Sequence, residues 1–155
     1  MNSLDSIIKA TAEDCAYTYK GLYKQSDIKE KYSSFLIFIP IIYSIIILVF
    51  PSVANELFGK IISVITLISS ILLLVGNKNS ENIVEYRKIA NNYKALYDEL
   101  CILSSSGCDS AVKLGEIVTK KNELNEKTSL YPIGILAKLW TKKVIDKEMN
   151  LLWIK

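Results

Sequence analysis

The chain has 155 residues, a formal net charge of +3, 50% hydrophobic residues and a mean hydropathy of +0.25. This length allows one ordinary domain or a small membrane-embedded module. Acidic residues interspersed with the lysines argue against a dedicated nucleic-acid surface, and three cysteines without a CxxC pair or any histidine argue against a zinc site.

The first element is an amphipathic helix predicted over residues 4–23. Its apolar positions recur at steps of three and four, and its charged residues take the other faces. Because such a stripe needs a partner, residues 1–32 are predicted to be a cytoplasmic segment that packs against other helices. The stripe consists of Leu4, Ile8, Thr11, Cys15, Tyr19 and Leu22.

Two apolar runs follow, over residues 33–50 and 57–75. The first contains no charged residue, and the second contains one, Lys60. At 1.5 Å per residue each helix would be about 27–29 Å long, close to the hydrocarbon thickness of about 30 Å. Both are predicted to be transmembrane helices. The connector 51–56 is short enough to make them an antiparallel hairpin.

The distribution of basic residues predicts the orientation of this hairpin. Residues 1–32 carry five lysines, the connector 51–56 carries none, and residues 77–155 carry thirteen lysines and arginines. Because cytoplasmic segments are enriched in basic residues, both termini are predicted to be cytoplasmic and the connector external.

Two residues within the spans have alternative interpretations. Pro40 removes a helix hydrogen bond, so it is either a tolerated kink or a hinge for gating. Lys60 lies about one turn from the predicted outer surface. Its ammonium group either reaches the interface along its own stem or marks the mouth of a pore.

A polar stripe runs along the second span. Its residues fall within about 60° of one another on a helix of 100° per residue. They would let helix backbones approach closely within the chain, drive self-association between chains, or line a water-filled path in an oligomer. Two helices cannot enclose such a path, so a pore requires several copies. The stripe consists of Gly59, Ser63, Thr66 and Ser70.

The remaining chain, 80–155, is predicted to form a cytoplasmic helical bundle with helices over about 80–103, 109–127 and 132–154. The first helix has a heptad-like apolar pattern, which indicates a seam within the bundle or between subunits. Three tyrosines in this seam are expected to be half-buried core residues, with a ligand-binding role as the alternative. The seam consists of Ile83, Tyr86, Ala90, Tyr93, Tyr97 and Leu100.

The last predicted helix is amphipathic and basic. Leu136, Leu139, Trp140 and Val144 are placed opposite a set of lysines. This face either packs into the bundle or lies on an anionic membrane surface. The lysines are Lys138, Lys142 and Lys143.

Motifs for catalysis are absent from the sequence. It contains no glycine-rich phosphate loop, nucleophile elbow, paired catalytic carboxylates or metal signature. The sequence therefore predicts a protein that is not an enzyme, with no catalytic residue, no cofactor and no bound metal.

The layout resembles that of the SLATT family of bacterial conflict systems. The shared features are an N-terminal helix, a two-span hairpin (33–50 and 57–75), and the tyrosine-bearing segment EYRKIANNYKALYDELCIL directly after it. A partner helix (109–127) and a tail beginning at Pro132 extend the likeness over nearly the whole chain.

This resemblance implies a multi-pass protein of the bacterial inner membrane that acts as an effector in antiviral defence. It implies that the protein forms pores or disrupts the membrane, and this would lead to growth arrest or cell death. A homo-oligomer is expected from the residues themselves, because two spans per chain cannot enclose a pore and the apolar cytoplasmic stripes need partners. The activating signal would come from a nucleotide-signalling enzyme or a reverse transcriptase encoded nearby. The alternative is a non-conducting membrane anchor that docks a soluble cytoplasmic partner.

Overall fold

Helices occupy almost all of the 3–52, 57–76, 78–106 and 110–152 ranges that the computed structural model describes. These ranges contain no strand, which confirms the prediction of an all-α fold. The helices are α1 (Ser3–Val49), α2 (Leu57–Gly76), α3 (Lys78–Ser106), α4 (Ser110–Ser129) and α5 (Ile135–Leu152).

The chain divides into two compact units, and each has its own packing. Unit 1 combines residues Met1–Ser26 with Val84–Lys155, and unit 2 consists of Asp27–Ile83. The core of unit 1 is built from the first part of α1 together with α3 and α4. Unit 2 contains the second part of α1, all of α2 and the first residues of α3.

Helix α1 is longer than the sequence pattern predicts. Separate helices were expected over 4–23 and 33–50, but one helix runs from Ser3 to Val49 and continues through Pro40. The intervening segment 24–32, KQSDIKEKY, lacks an apolar stripe but contains neither glycine nor proline. Because its residues are compatible with a helix, the loss of apolar periodicity there is not a stop signal.

Helices α3 and α4 pack as an antiparallel pair in unit 1. Tyr93 of α3 contacts Asn125 near the end of α4, whereas Glu99, further along α3, pairs with Lys120, which lies earlier on α4. Helix α3 begins at Lys78, two residues before the predicted start of this helix at about residue 80. Helix ends commonly differ by this amount between assignments.

The loop between α4 and α5 explains why α5 begins at Ile135 and not at Pro132. The Pro132 carbonyl accepts a hydrogen bond of 2.9 Å from the Tyr86 hydroxyl, and the Gly134 N–H donates one of 2.9 Å to Gln25 Oε1. These contacts to α3 and α1 hold the loop outside the helix. Gly134 is the N-cap, since its carbonyl accepts the first bond of α5 from the Lys138 N–H at 3.0 Å.

The loop before α5 packs closely against α1 at two glycines. A Cβ atom at Gly134 would lie 2.9 Å from Gln25 Oε1, and one at Gly21 would lie 2.9 Å from Ile133 Cδ1. A side chain on either glycine would require the end of the Gln25 or Ile133 side chain to shift. Three predicted features lie outside the described residues: residues 53–56 of the connector, Asp109 at the start of the predicted helix 109–127, and residues 153–154 of the last helix.

Candidate functional site

The outward surface of unit 2 is apolar along both of its main helices. On α1 the exposed side chains include Phe35, Phe38 and Ile42, and on α2 they include Phe58, Ile65 and Leu72. A soluble domain normally covers such side chains, and a surface of this extent marks contact with lipid or protein.

One helix among the described residues is long and apolar enough to cross a membrane. It covers Leu4–Val49, and only 11% of its most apolar 18-residue window is buried, so it is not the core helix of unit 2. The apolar part of α2 that was compared on the same basis, Leu57–Leu73, is shorter. A membrane-compatible helix close to the N-terminus is therefore present.

The first half of the predicted polar stripe meets a tyrosine on α1. The Tyr43 hydroxyl donates a hydrogen bond of 3.0 Å to the Gly59 carbonyl and also contacts the Ser63 hydroxyl. Ser63 Oγ donates to the same Gly59 carbonyl at 2.9 Å. Gly59 and Tyr43 are buried, whereas Ser63 stays exposed at the edge of this contact.

The second half of the stripe is placed differently. Ser70 Oγ donates to the Thr66 carbonyl at 2.9 Å, and the neighbouring Ser69, which is buried, donates to the Ile65 carbonyl at 2.9 Å. The Thr66 hydroxyl is fully covered and has no hydrogen-bond partner among the described residues. Its oxygen is therefore the one buried side-chain polar atom of this part of the chain that the packing leaves unsatisfied.

Sequence reasoning did not identify Tyr43 as the partner of the stripe, nor Ser69 as a member of the buried face. A signal for Tyr43 was present, because a tyrosine in the middle of an apolar run usually has a partner for its hydroxyl. Burial of Leu36, two turns before Tyr43, and of Ser69, nearly three turns after Gly59, indicates that α2 and the second part of α1 pack over several turns.

The other two predicted positions in unit 2 are in different environments. Pro40 is half-buried on the same face of α1 as Leu36 and Tyr43, and its carbonyl accepts a hydrogen bond of 2.8 Å from Ser44 Oγ. Proline therefore lies on the face that packs against α2. Lys60 is exposed near the start of α2.

Most of the predicted tyrosine seam lies in the core of unit 1. Tyr86, Ala90, Tyr93 and Leu100 are buried in a single cluster, and Tyr97 packs against it. Ile83, the first residue of the seam, is half-buried and belongs to unit 2. The cluster also includes Ile89, Leu96 and Leu103, which widen the buried face of α3.

Tyr93 is the largest fully buried side chain of this core. Its hydroxyl donates a hydrogen bond of 2.7 Å to Asn125 Oδ1 and lies 3.1 Å from Thr128 Oγ1, both on α4. Burial raises the pKa of Tyr93 above its ordinary value, so the phenol stays neutral and acts as a donor between the two helices. This arrangement links α3 and α4 structurally.

The buried thiol of Cys15 belongs to the same core. Burial raises its pKa from 9.0 to about 11, with a smaller opposing influence from Lys121. Burial likewise raises the pKa of Cys101. Both cysteines are free thiols. Because the thiolate is the reactive form, neither is an activated nucleophile at neutral pH.

Helix α5 faces the rest of unit 1 with a different side from the one the sequence favours. Ala137, Thr141 and Ile145 are buried. Thr141 Oγ1 donates a hydrogen bond of 2.8 Å to the Ala137 carbonyl. The predicted apolar face points outward instead, with exposed fractions of 71% for Leu136, 62% for Leu139 and 42% for Trp140. The interpretation in which this face packs into the bundle is wrong for these three residues.

Ligand-binding chemistry is limited in the part of the chain that the structure describes. No group of three or more cysteine, aspartate or glutamate side chains is arranged to hold a metal ion there.

Comparison with protein-family models, with curated proteins and with solved structures finds no match to this chain.

Proposed function

We propose that unit 2 crosses a bacterial inner membrane twice, through α1 and α2, with both termini in the cytoplasm. The observation that carries this proposal is the outward apolar surface formed by residues such as Phe38, Ile42 and Ile65. Ser44, Ser69 and Ser70 donate to backbone carbonyls four residues earlier, which satisfies their hydroxyls without water as lipid surroundings require, although the Thr66 hydroxyl is an exception. The distribution of lysine and arginine supports the orientation.

The proposed activity is that of a membrane effector in antiviral defence. Several copies assemble, and a partner signal shifts their spans into a conducting or membrane-disrupting state that dissipates the membrane potential. The layout shared with the SLATT family supports this role, and a nucleotide-signalling enzyme or a reverse transcriptase encoded nearby would supply the signal. The protein acts without catalysis, cofactor or metal.

Assembly is the first step to test, because two spans cannot enclose a conducting path. The chain is reconstituted into vesicles of bacterial lipid, and its subunit number is measured by cross-linking alongside the release of a trapped dye. Oligomers that release dye, and a fall in membrane potential when cells express the chain with its activator, support the proposal. A strict monomer in lipid that never releases dye refutes the pore.

The role of the polar stripe can be tested with one variant on the stripe and a control variant on α1. If the stripe lines water, Thr66→Val removes a hydroxyl from the path and lowers conductance, although the side chain keeps its size. If the stripe only packs, the same change removes an unsatisfied buried oxygen, so helix packing is unchanged or improved and conductance is unaffected. Ser44→Ala on the exposed face of α1 is the control.

A non-conducting adaptor is the second candidate, and the Tyr43 contact favours it. Tyr43 engages the Gly59 carbonyl and Ser63 within the chain, which leaves fewer polar groups of the stripe to face water. In this case residues 33–50 and 57–75 can be replaced by an unrelated two-span hairpin without loss of activity. The replacement must retain residues 1–26, because α1 supplies Ile8, Ala12 and Cys15 to the unit 1 core. The pore model predicts that the replacement is inactive.

A further inference from the structure

The first two turns of α5 carry an exposed apolar surface that the fold of unit 1 does not use. We define it by four residues: Ile135, Leu136, Leu139 and Trp140. Their exposed fractions range from 42% to 77%. The opposite side of the helix, with Ala137 and Thr141, is fully buried. The orientation of α5 is therefore fixed by packing, and the four residues point away from the core.

Basic side chains surround this surface. Lys138, Lys142 and Lys143 are exposed on the same helix. A fourth, Lys24 of α1, places its Nζ 4.5 Å from the centre of the Trp140 ring. Two acidic residues lie near this surface: Asp146 on the adjoining turn of α5, and Asp14 of α1, which lines the same depression as Leu139 and pairs with Lys121. The combination of aliphatic side chains, a tryptophan and several lysines is the composition of helices that lie in the headgroup region of anionic membranes.

We infer that this surface of α5 binds the anionic lipid leaflet of the membrane that holds unit 2. The lysines pair with phospholipid phosphates, and Leu136, Leu139 and Trp140 enter the boundary between headgroups and acyl chains. The inference rests on the proposed membrane insertion of unit 2 and adds a second, reversible contact made by unit 1.

The sequence keeps this surface close to the bilayer. Lys24, which contacts Trp140, precedes the apolar run beginning at Ser33 by about nine residues. Even a fully extended chain of that length spans only about 32 Å. A surface tethered at this range meets the lipid at a high effective concentration, so weak individual contacts are sufficient for binding.

Charge favours lipid over a second copy of this surface as the occupant. Two copies facing each other would bring two sets of lysines together, and like charges at close range oppose association. An anionic leaflet instead supplies the opposite charge over the whole surface. The docked state is therefore expected to weaken when salt is added, because screening shortens the reach of these interactions.

The experiment uses the full chain with Trp153→Phe, which leaves Trp140 as the only tryptophan. The chain is reconstituted into phosphatidylcholine vesicles with or without phosphatidylglycerol, some containing brominated acyl chains. With phosphatidylglycerol, we expect Trp140 emission to shift to shorter wavelength and to be quenched by the brominated lipid. Adding salt, or combining Lys142→Glu with Lys143→Glu, should reverse both changes. Quenching of Trp140 by acrylamide in the water should fall when phosphatidylglycerol is present, and it should recover with salt or in the glutamate variant.

A matched control places the reporter on another exposed apolar site of unit 1. In a chain with Trp140→Phe and Trp153→Phe, Val112→Trp on α4 should remain open to acrylamide and unaffected by brominated lipid. If Trp140 behaves like this control while the chain resists carbonate extraction, the lipid contact is refuted and the proposed insertion of unit 2 stands. If the chain is extracted by carbonate, the proposed function fails as well.

A third result identifies a different occupant. A shift in Trp140 emission that depends on the protein-to-lipid ratio, without quenching by brominated lipid, would indicate contact between copies and overturn the lipid assignment. Leu136→Glu together with Leu139→Glu then separates the two cases, since both side chains are exposed and their loss leaves the core intact. Under the lipid assignment this variant loses the quenching while its subunit number stays the same.

Discussion

Unit 1 and unit 2 are both helical, but they satisfy their side chains in opposite ways. In unit 1 the large apolar side chains of α1, α3 and α4 meet in one buried cluster. In unit 2 most large apolar side chains point outward, and the buried face contains Tyr43, Gly59 and Ser69. Unit 1 therefore has a large apolar core and leaves an apolar surface exposed mainly on α5, whereas unit 2 exposes apolar side chains along both of its main helices.

Two tyrosines show what this difference means physically. Tyr93 in unit 1 bonds to side chains of α4, namely Asn125 and Thr128. Tyr43 in unit 2 bonds to a backbone carbonyl of α2 and to a serine beside it. In both units a phenol links two helices. In unit 2 the phenol makes a polar contact inside a pair of helices whose outward side chains are apolar.

The largest expected effect is at Tyr93. Tyr93→Ala should lower the free energy of unfolding of unit 1 by about 3–5 kcal/mol, because it removes a fully buried ring and the hydroxyl that donates to Asn125 Oδ1. The measurement is the guanidinium concentration at which Cys15, buried in the same core, becomes alkylated, followed by mass spectrometry.

A tyrosine of unit 2 provides the control for that measurement. Tyr32 is 54% exposed, so Tyr32→Ala should leave the alkylation midpoint of Cys15 unchanged. Equal losses in the two variants would show that the core of unit 1 does not depend on Tyr93 in the way its contacts indicate.

The next effect tests the outer surface of unit 2 directly. Ile42 is 54% exposed near the middle of the first apolar run. Ile42→Lys should disfavour membrane insertion by about 2.5–3.5 kcal/mol, the cost of a charge at the centre of a span. The fraction of chain that stays with membranes after carbonate extraction measures it.

A lysine introduced on the surface of unit 1 should leave the fraction of chain that stays with membranes unchanged. Val112 on α4 is 70% exposed, and Val112→Lys adds one more charge to a water-facing surface. If both lysine variants partition like the unchanged chain, the outward side of unit 2 faces water and the contrast between the two units is lost.

A smaller effect is expected from the Cys15 thiol under alkaline conditions. Its pKa is about 11 in the folded chain and 9.0 ordinarily, so folding favours the neutral thiol. The resulting contribution to stability is fully present below pH 9 and is lost as the pH rises toward 11. Cys15→Ala should therefore show a shallower alkaline loss of helicity by circular dichroism. Identical slopes from pH 9 to 11 would contradict the assignment of this loss to Cys15.

Periodicity was sufficient to predict the parts of the fold where one stripe decides the packing. The α3 seam follows a strict apolar pattern, and Tyr86, Ala90, Tyr93 and Leu100 are buried.

The prediction of which face of α5 is buried was wrong for a physical reason. Its buried face consists of Ala137, Thr141 and Ile145, which are small or polar residues for the most part. The bulky residues that dominate a hydrophobicity pattern lie outside, because close packing there requires small ones.

The continuity of α1 and the start of α5 were also beyond the pattern. Segment 24–32 is helical without an apolar stripe, so nothing periodic marks it. The loop before α5 is held by Tyr86 and Gln25, which are more than 40 residues away in the chain. Contacts of this kind are set by tertiary structure and leave little local trace in the sequence. The polar stripe was visible in sequence, but its partner Tyr43 was not assigned to it.

The smallest expected effect is at Tyr43, and it separates packing from water contact in unit 2. Tyr43→Phe keeps the ring but removes the hydroxyl that bonds to the Gly59 carbonyl and Ser63. Hydrogen bonds between helices in membranes average about 0.6 kcal/mol, so the loss should be modest when unfolding by dodecyl sulfate is measured. Tyr32→Phe, on an exposed side chain, is the control and should show no loss. If Tyr43→Phe is as stable as the control, the Tyr43 bond adds nothing to the stability of the helix pair, since Ser63 Oγ still donates to the Gly59 carbonyl, and the assignment of a dry Tyr43 contact is contradicted. A loss near the expected value instead places that carbonyl in a dry contact between α1 and α2, and any water path would then have to run along another face of the pair.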